Sequence, residues 1–328
     1  MMSRMNLALI GCGGFGSGYV RELTDRPDAR LLAVCDTNRE HADAAAERTG
    51  ARAYTELDQA LDTPGLKGVI IATPNYLHAS MTCAAAERGL HVLCEKPMAT
   101  TSQDARQMIK TCQENGVWLM IGLSSRYEQI FQRALSLTRA GKLGVPLLLT
   151  NIYHYTLQPP KPGRTWHTDA KLMGGGALIQ MGIHSLDRLC WFADAPVKSV
   201  YAQIRKGGGR WADNIDLCQV VFDNDILGQV EVSGVANPSR NEMTIHLSKG
   251  QIIVKSKDLR WYDGSWHEES YETDRFAVEV QDFVDAIRDD REPFCSGEIA
   301  LPTHELCFAA YRSSSEGHAL HLIEGEYR

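Results

Sequence analysis

The fold class predicted by this sequence is an α/β Rossmann domain followed by an α+β domain with a large, mainly antiparallel sheet. Three observations predict it. Apolar runs alternate with Ala/Glu/Arg-rich helical stretches over residues 5–123. A Gly-x-Gly-x-x-Gly turn follows the first apolar run. From about Lys198 to Ser270 the chain becomes strand-like and turn-punctuated, with no crossover helix between most strands.

The elements follow in order. "NLALIG", "LLAVCD", "GVIIAT", "HVLCEK" and "VWLMIG" are continuous apolar runs, the pattern of parallel strands buried on both faces. Between them, "REHADAAAERTG" and "HASMTCAAAERG" have helical spacing and end at Gly50 and Gly89, residues suited to a helix C-cap. The alternation stops at Gly122, which sets a dinucleotide-binding domain at 1–123 and a second domain at 124–328, to which the resemblance named below gives substrate binding and oligomerisation. The second part opens with a helix near "RYEQIFQRALSLTRAGKLG" and a strand in "VPLLLTNIYHYTL", then a Pro/Gly loop, "QPPKPGRTWHTD". "GGGALIQMGIHSLDRLCWF" reads as a glycine-led helix. After the strand-rich stretch, two helices near 275–289 and 303–316 close the chain.

Bulk properties exclude several classes of function. A length of 328 residues suits two domains, each with its own core. A net charge of −7 and the lack of any long Lys/Arg run argue against nucleic acid or an acidic membrane as partner. No apolar stretch is long enough to span a bilayer, and the first residues carry no secretory pattern. Nine scattered cysteines with no C-x-x-C spacing point to unpaired thiols and a cytoplasmic location.

The turn "GCGGFG" supplies Gly11, Gly13, Gly14, Phe15 and Gly16 as cofactor-binding positions. Its glycines permit a tight turn, backbone approach to a pyrophosphate and close helix–strand packing, and the helix that follows presents free N–H groups. Asp36 ends the second strand, 20 residues past Gly16, and can accept hydrogen bonds from the adenosine ribose hydroxyls. Its charge favours NAD and places NADP second. Arg39, three residues on, reads either as a phosphate ligand or as a solvated arginine at a helix start.

Ligands of open α/β sheets bind at the carboxyl ends of the strands. Two further corners lie there. "HVLCEKPMA" places Glu95 and Lys96 before Pro97, so Lys96 projects from a rigid corner rather than from a helix. An ammonium that is partly desolvated near an oxidised nicotinamide is usable as a general acid/base. "ATPNYLHA" places Thr73, Pro74, Asn75 and His78 beside the cofactor, with His78 alternatively only starting the next helix.

In "GGGALIQMGIH", Gln180 and His184 lie four apart and share a helix face. The histidine can carry a proton; the glutamine amide does not titrate. On spacing alone this is equally the polar face of an amphipathic helix. Tyr153 and Tyr155 lie on one face of their strand and His154 on the other. "HALH" at 318–321 lacks a supporting ligand set, so no metal site is expected.

Taken together, "GCGGFG", "ATPNYLH", "CEKP" and "GGGALIQMGIHSLD" resemble the Gfo/Idh/MocA family of oxidoreductases, over nearly the whole chain. The resemblance implies NAD(P)-dependent oxidation or reduction of one carbinol of a sugar, sugar derivative or polyol, and a homodimer or homotetramer formed through the second sheet. It carries the family's proton carrier to Lys96, its histidine to His184 and its acid to Asp187. Asp187 would orient the His184 ring or form a plain helix salt bridge. The resemblance also puts the 161–169 loop beside the sugar, so that Arg164 would bind an anionic group and Trp166 would stack on a pyranose, with Tyr153 as a further wall. One position departs: the family commonly has aspartate where this chain has Gln180. A neutral amide there suits an anionic substrate, because a carboxylate would repel it by about 4 kcal/mol at ~4 Å and an effective dielectric of ~20. Two other functions compete with net oxidation. One is redox-neutral glycoside cleavage through a transient keto-sugar with tightly held NAD. The other is a non-catalytic NAD-binding sensor, supported only by the missing carboxylate.

Overall fold

The computed structural model describes residues 4–157, 165–207, 213–272, 275–323 and 325–328. They divide into two compact units, Met1–Ser124 with Asp274–Leu301 and Ser125–Thr273 with Pro302–Arg328.

The first unit is built in the order β1 (Met5–Ile10), α1 (Gly16–Thr24), β2 (Ala29–Cys35), α2 (Arg39–Thr49), β3 (Arg52–Tyr54), α3 (Leu57–Leu61), β4 (Gly68–Ile71), α4 (His78–Ala86), β5 (His91–Glu95), α5 (Ser102–Glu114) and β6 (Leu119–Gly122). All strand pairings are parallel, in the order β3-β2-β1-β4-β5-β6. Leu7, Leu9, Val69, Ile70, Val92 and Leu93 are wholly buried, as expected of strands covered on both faces. The short β3 lacks an apolar run and has no signature in the sequence. Gly16 fixes the approach of α1 to the first turn: a Cβ there would lie 1.8 Å from the Gly11 carbonyl oxygen.

The second unit contains α6 (Gln129–Arg139), β7 (Pro146–Thr156), α7 (Ala170–Met173), a π-helical turn (Leu178–Gly182) and α8 (Ile183–Ala193). Its remaining strands are β8 (Val197–Arg205), β9 (Ile215–Phe222), β10 (Leu227–Ser233), β11 (Val235–Leu247), β12 (Gly250–Lys255), β13 (Asp258–Tyr262) and β14 (Trp266–Ser270). The chain closes with α9 (Arg275–Arg288), α10 (Gly297–Glu316), β15 (Leu320–Ile323) and β16 (Glu326–Tyr327). The ten-stranded sheet runs β14-β13-β12-β11-β7-β10-β9-β8-β15-β16 and is antiparallel except where β10 pairs with β7. α8 lies on one face, where Ser185 donates to Asn151 Oδ1 at 2.6 Å.

Two expectations are corrected here. The sequence assigned everything after 123 to the second domain, but residues 274–301 belong to the first unit. The reason is the apolar face of α9. Val280, Phe283 and Val284 are buried, and the Phe276 ring packs 5.3 Å from that of Phe15 and 5.2 Å from that of Tyr19. Linear periodicity identifies such a face but not the surface that will cover it. The second correction concerns α10, which begins at Gly297 and continues through Pro302, whereas the sequence reading started the helix after that proline.

Asp187 is fully buried in α8, and its partner is distant in sequence. Arg126 donates to both its oxygens, the shortest contact being 2.7 Å, and Thr303 donates at 3.1 Å. Neither of the two roles expected for Asp187 is what the structure shows: its carboxylate is taken by Arg126. Removing one partner of a buried ion pair leaves the other charge uncompensated, so Asp187→Ala should destabilise the protein by about 3–5 kcal/mol in denaturant titrations. A loss below about 1 kcal/mol would mean that the pair is solvated.

Candidate active site

In the first unit, the expected cofactor residues gather at the carboxyl ends of β1, β2, β4 and β5. Helix α1 begins after Phe15 with no side-chain cap and no acid in its first turn, which leaves its positive end available to a phosphate. Gly14 and Phe15 are exposed, while Gly11 and Gly13 are half-buried. Asp36 is held by two backbone donors, Cys12 N–H at 2.9 Å on Oδ2 and Asn38 N–H at 2.8 Å on Oδ1. The carboxylate is thereby fixed at the β2 end, with lone pairs left for ribose hydroxyls. Arg39 turns instead to Asp43, at 2.8 and 2.9 Å, in the manner of a solvated helix-start arginine.

The Thr73 and Lys96 corners are braced by one histidine. His78 is almost wholly buried, with Nδ1 2.7 Å from the Pro97 carbonyl and Nε2 2.9 Å from the Thr73 carbonyl. Burial lowers its pKa, and the charge of Lys96 adds to that. Both ring nitrogens face backbone oxygens, so His78 ties the two corners together and offers no free donor to a cofactor. Thr73 and Pro74 are half-buried and Asn75 is buried.

Glu95 is buried at the end of β5, and Lys96 beside it is half-buried, with a cis peptide to Pro97. The Lys96 N–H lies 3.2 Å from Glu95 Oε2. Glu95 Oε1 is 2.7 Å from the Tyr19 hydroxyl, which also lies 2.8 Å from Glu279 Oε1. Burial and the two carboxylates push the Tyr19 pKa well above its ordinary value, so the hydroxyl stays a donor. Sequence reasoning missed Tyr19 and Glu279. Tyr19 sits inside a helix, and Glu279 is on α9, which had been assigned to the other domain.

In the second unit, the π-helical turn Leu178–Gly182 runs directly into α8. Four residues remain close to one turn in either geometry, so Gln180 and His184 keep a common side. Gln180 is half-buried and His184 is 8% exposed. The glycines before them are required by packing. A Cβ at Gly175 would lie 2.4 Å from the Tyr311 hydroxyl, and one at Gly176 would lie 2.5 Å from the Asp213 nitrogen. Tyr153 is half-buried on β7, with the Tyr155 ring 5.4 Å away in an edge contact. Trp166 is half-buried in a short 3₁₀ turn, Thr165–Thr168. Arg164 lies outside the described residues.

Asp213, Asp216 and Tyr311 also converge on this turn and were not singled out from the sequence. A signal was present. β9 alternates, with Asp216, Cys218, Val220 and Phe222 inward, so one carboxyl group stands in an otherwise apolar row.

Two family models match the chain. Residues 5–123 match the oxidoreductase family with an NAD-binding Rossmann fold, and residues 131–253 match the GFO/IDH/MocA C-terminal domain. A 2,7-anhydro-N-acetylneuraminate hydratase of Mediterraneibacter gnavus is 33% identical over 186 residues, which span 57% of this chain and about half (48%) of that protein. An inositol 2-dehydrogenase of Rubrobacter xylanophilus is 25% identical, across 95% of this chain and 92% of its own. The WlbA dehydrogenase from Bordetella pertussis, solved with NADH and UDP-GlcNAcA, matches with a TM-score of 0.88 and 25% identity over 98% of each chain.

The geometry at Asp36 yields a cofactor test. Replacing Asp36 with Ala should weaken NAD binding and narrow its advantage over NADP, because the ribose acceptor and the repulsion of a 2′-phosphate are lost together. Dissociation constants for both nucleotides, measured by fluorescence titration, check this. A wild-type protein that binds NADP more tightly than NAD would shift the assignment to Arg39.

Proposed function

This chain belongs to the Gfo/Idh/MocA family of NAD-binding oxidoreductases, and from that premise we propose that it oxidises or reduces one carbinol of a sugar, sugar derivative or polyol. Bound nicotinamide supplies the hydride acceptor or donor. The protein supplies the proton chemistry: Lys96 and His184 take the hydroxyl proton on oxidation and return it on reduction. Gln180 and Tyr153 orient the substrate. The observation that carries this reading is the Lys96 corner, a half-buried lysine at a strand's carboxyl end whose backbone is held by buried Glu95.

The substrate class follows from charge. Gln180 can donate two hydrogen bonds and accept at its carbonyl without adding negative charge, which favours a substrate bearing a carboxylate or sulfonate. The names of two relatives support this: one concerns an N-acetylneuraminate derivative and one a complex with UDP-GlcNAcA, both acidic sugars. The hydratase name also favours a second reading, in which oxidation is transient and NAD is regenerated within the cycle. Release of product without external cofactor would distinguish that reading from net dehydrogenation. The nine free thiols fit a reducing cytoplasm. Among the described residues no helix is long and apolar enough to cross a membrane.

The sheet face opposite α8 leaves Ile215, Leu217 and Leu227 exposed at 40–49%. A second copy of the chain would cover them, in keeping with a dimer or tetramer. Leu217→Glu should shift the sedimentation profile toward monomer, and a monomeric wild type would remove the assembly.

The catalytic roles separate by kinetics. Lys96→Ala should lose roughly 100- to 10,000-fold in turnover while NAD still binds. His184→Ala should change the shape of the pH–rate profile, whereas Gln180→Ala should raise KM and leave that shape alone. Near-normal turnover in Lys96→Ala would overturn the assignment. Improved activity in Gln180→Asp would defeat the charge argument. A screen of sugars, sugar acids, sulfosugars and glycosides, followed at the reduced-nicotinamide absorbance band, identifies the substrate for these assays.

A further inference from the structure

Residues 176–179, which lead into Gln180, have their backbone N–H groups gathered by two side chains and one carbonyl. Asp213, 4% exposed, accepts from Leu178 N–H at 3.2 Å through Oδ1, and its own carbonyl accepts from Ala177 N–H at 3.2 Å. Its Oδ2 accepts the Tyr311 hydroxyl at 2.9 Å. That hydroxyl oxygen in turn accepts from Gly176 N–H at 2.9 Å and from Ile179 N–H at 3.3 Å. The start of the helical segment therefore rests on one carboxylate and the tyrosine bound to it. An anion at this end is also favoured by the helix dipole.

Asp216 stands beside this carboxylate in a different condition. It is wholly buried on β9, flanked in register by Ile204 on β8 and Val232 on β10. Among the described residues, neither of its carboxyl oxygens receives a hydrogen bond from an N–H or hydroxyl donor. An ionised carboxylate so placed would have lost its hydration with nothing in exchange. Among the described residues, the titratable groups acting on the pair are themselves acids: Tyr155 on β7, Cys218 on β9, and Cys307 and Tyr311 on α10. None of these is a cation that would offset a second negative charge. Asp213 is the neighbouring carboxylate that acts on Asp216, and a proton on Asp216, donated to Asp213, would remove the uncompensated charge.

We infer that Asp213 and Asp216 share a single proton, and that this carboxyl pair positions the turn carrying Gln180 and His184 while holding its own charge to one unit. Two ionised carboxylates would repel each other and pull Asp213 away from the N–H groups it accepts. The protonated Asp216 instead completes the set of donors that fixes Asp213. Burial, reinforced by Asp213, raises Asp216 to about 9, and Asp213 is raised by burial as well, so the arrangement persists through neutral pH. Together with Gln180, the pair leaves this segment poorer in negative charge than its carboxylates suggest. The positioning role rests on the proposed use of Gln180 and His184; the shared proton does not.

The sign of the pH dependence follows from linkage. Between the ordinary aspartate pKa of 3.8 and about 9, the folded protein keeps a proton that the unfolded chain releases. Asp216 therefore makes stability fall as pH rises through that window. D216N keeps the shape and a donor but has no proton to lose.

The experiment follows Asp Cγ resonances in ¹³C-labelled protein, thermal unfolding of wild type and D216N from about pH 5 to about pH 9, and the His184 imidazole signal, assigned by its loss in H184N. The expected results are three. The resonance lost in D216N is protonated at neutral pH and titrates near 9. The melting temperature of D216N gains on wild type steadily as pH rises. The His184 signal of wild type shows an inflection near pH 9 that D216N lacks. Titration of Asp216 in the ordinary carboxylate range, or a D216N variant that fails to fold, overturns the shared proton. An unchanged His184 signal across pH 9 overturns the positioning role. None of these readouts needs substrate turnover, so a failure of the dehydrogenase reading would show elsewhere, in Lys96→Ala.

Discussion

A carboxylate can be buried only if its charge is met, and this constraint holds the helical segment of the second unit in place. At the start of that segment, Asp213 gathers backbone N–H groups and the Tyr311 hydroxyl. Within α8, Asp187 is met by Arg126 and Thr303. Arg188, on the next position, is also buried and donates to Ser125 and Asn241, with its guanidinium 4.1 Å from the Phe131 ring centroid. Each of these contacts is directional. Together they restrict the rotation and sliding of a helix that apolar packing alone would leave freer. Gln180 and His184 inherit their positions from this framework.

The first unit solves a related problem at the end of β5. Glu95 is buried next to Lys96, the residue proposed above as a proton carrier. The Tyr19 hydroxyl links Glu95 to Glu279, and the Lys96 N–H points toward the same carboxylate. His78 then braces the Pro97 and Thr73 carbonyls. The corner is therefore held by hydrogen bonds from three directions, a rigid support of the kind a general acid/base requires.

The absence of a carboxylate at position 180 takes on a different meaning in this setting. A second carboxyl group is buried in the same unit, at Asp216, and on the inference above it carries a proton shared with Asp213. The chain thus has the side chains for a more acidic site and keeps one of them protonated. That pattern is in keeping with the anionic substrate proposed above.

Much of the fold was legible in the linear sequence. Strand–helix alternation, the glycine turn after β1 and Asp36 after β2 are local patterns, and each depends only on residues within a few turns of one another. The Lys96 corner, the glycine-led helix with Gln180 and His184, and the alternating strands of the second sheet were legible for the same reason. The tertiary structure decided the rest. It took α9 into the first unit, because an amphipathic face does not specify its cover. It gave Asp187 to Arg126 rather than to His184, and set the His78 ring between two carbonyls. It also made Asp216 neutral. Partners and protonation states of buried polar groups depend on which distant segments exclude water around them, and that information exists only once the chain has folded.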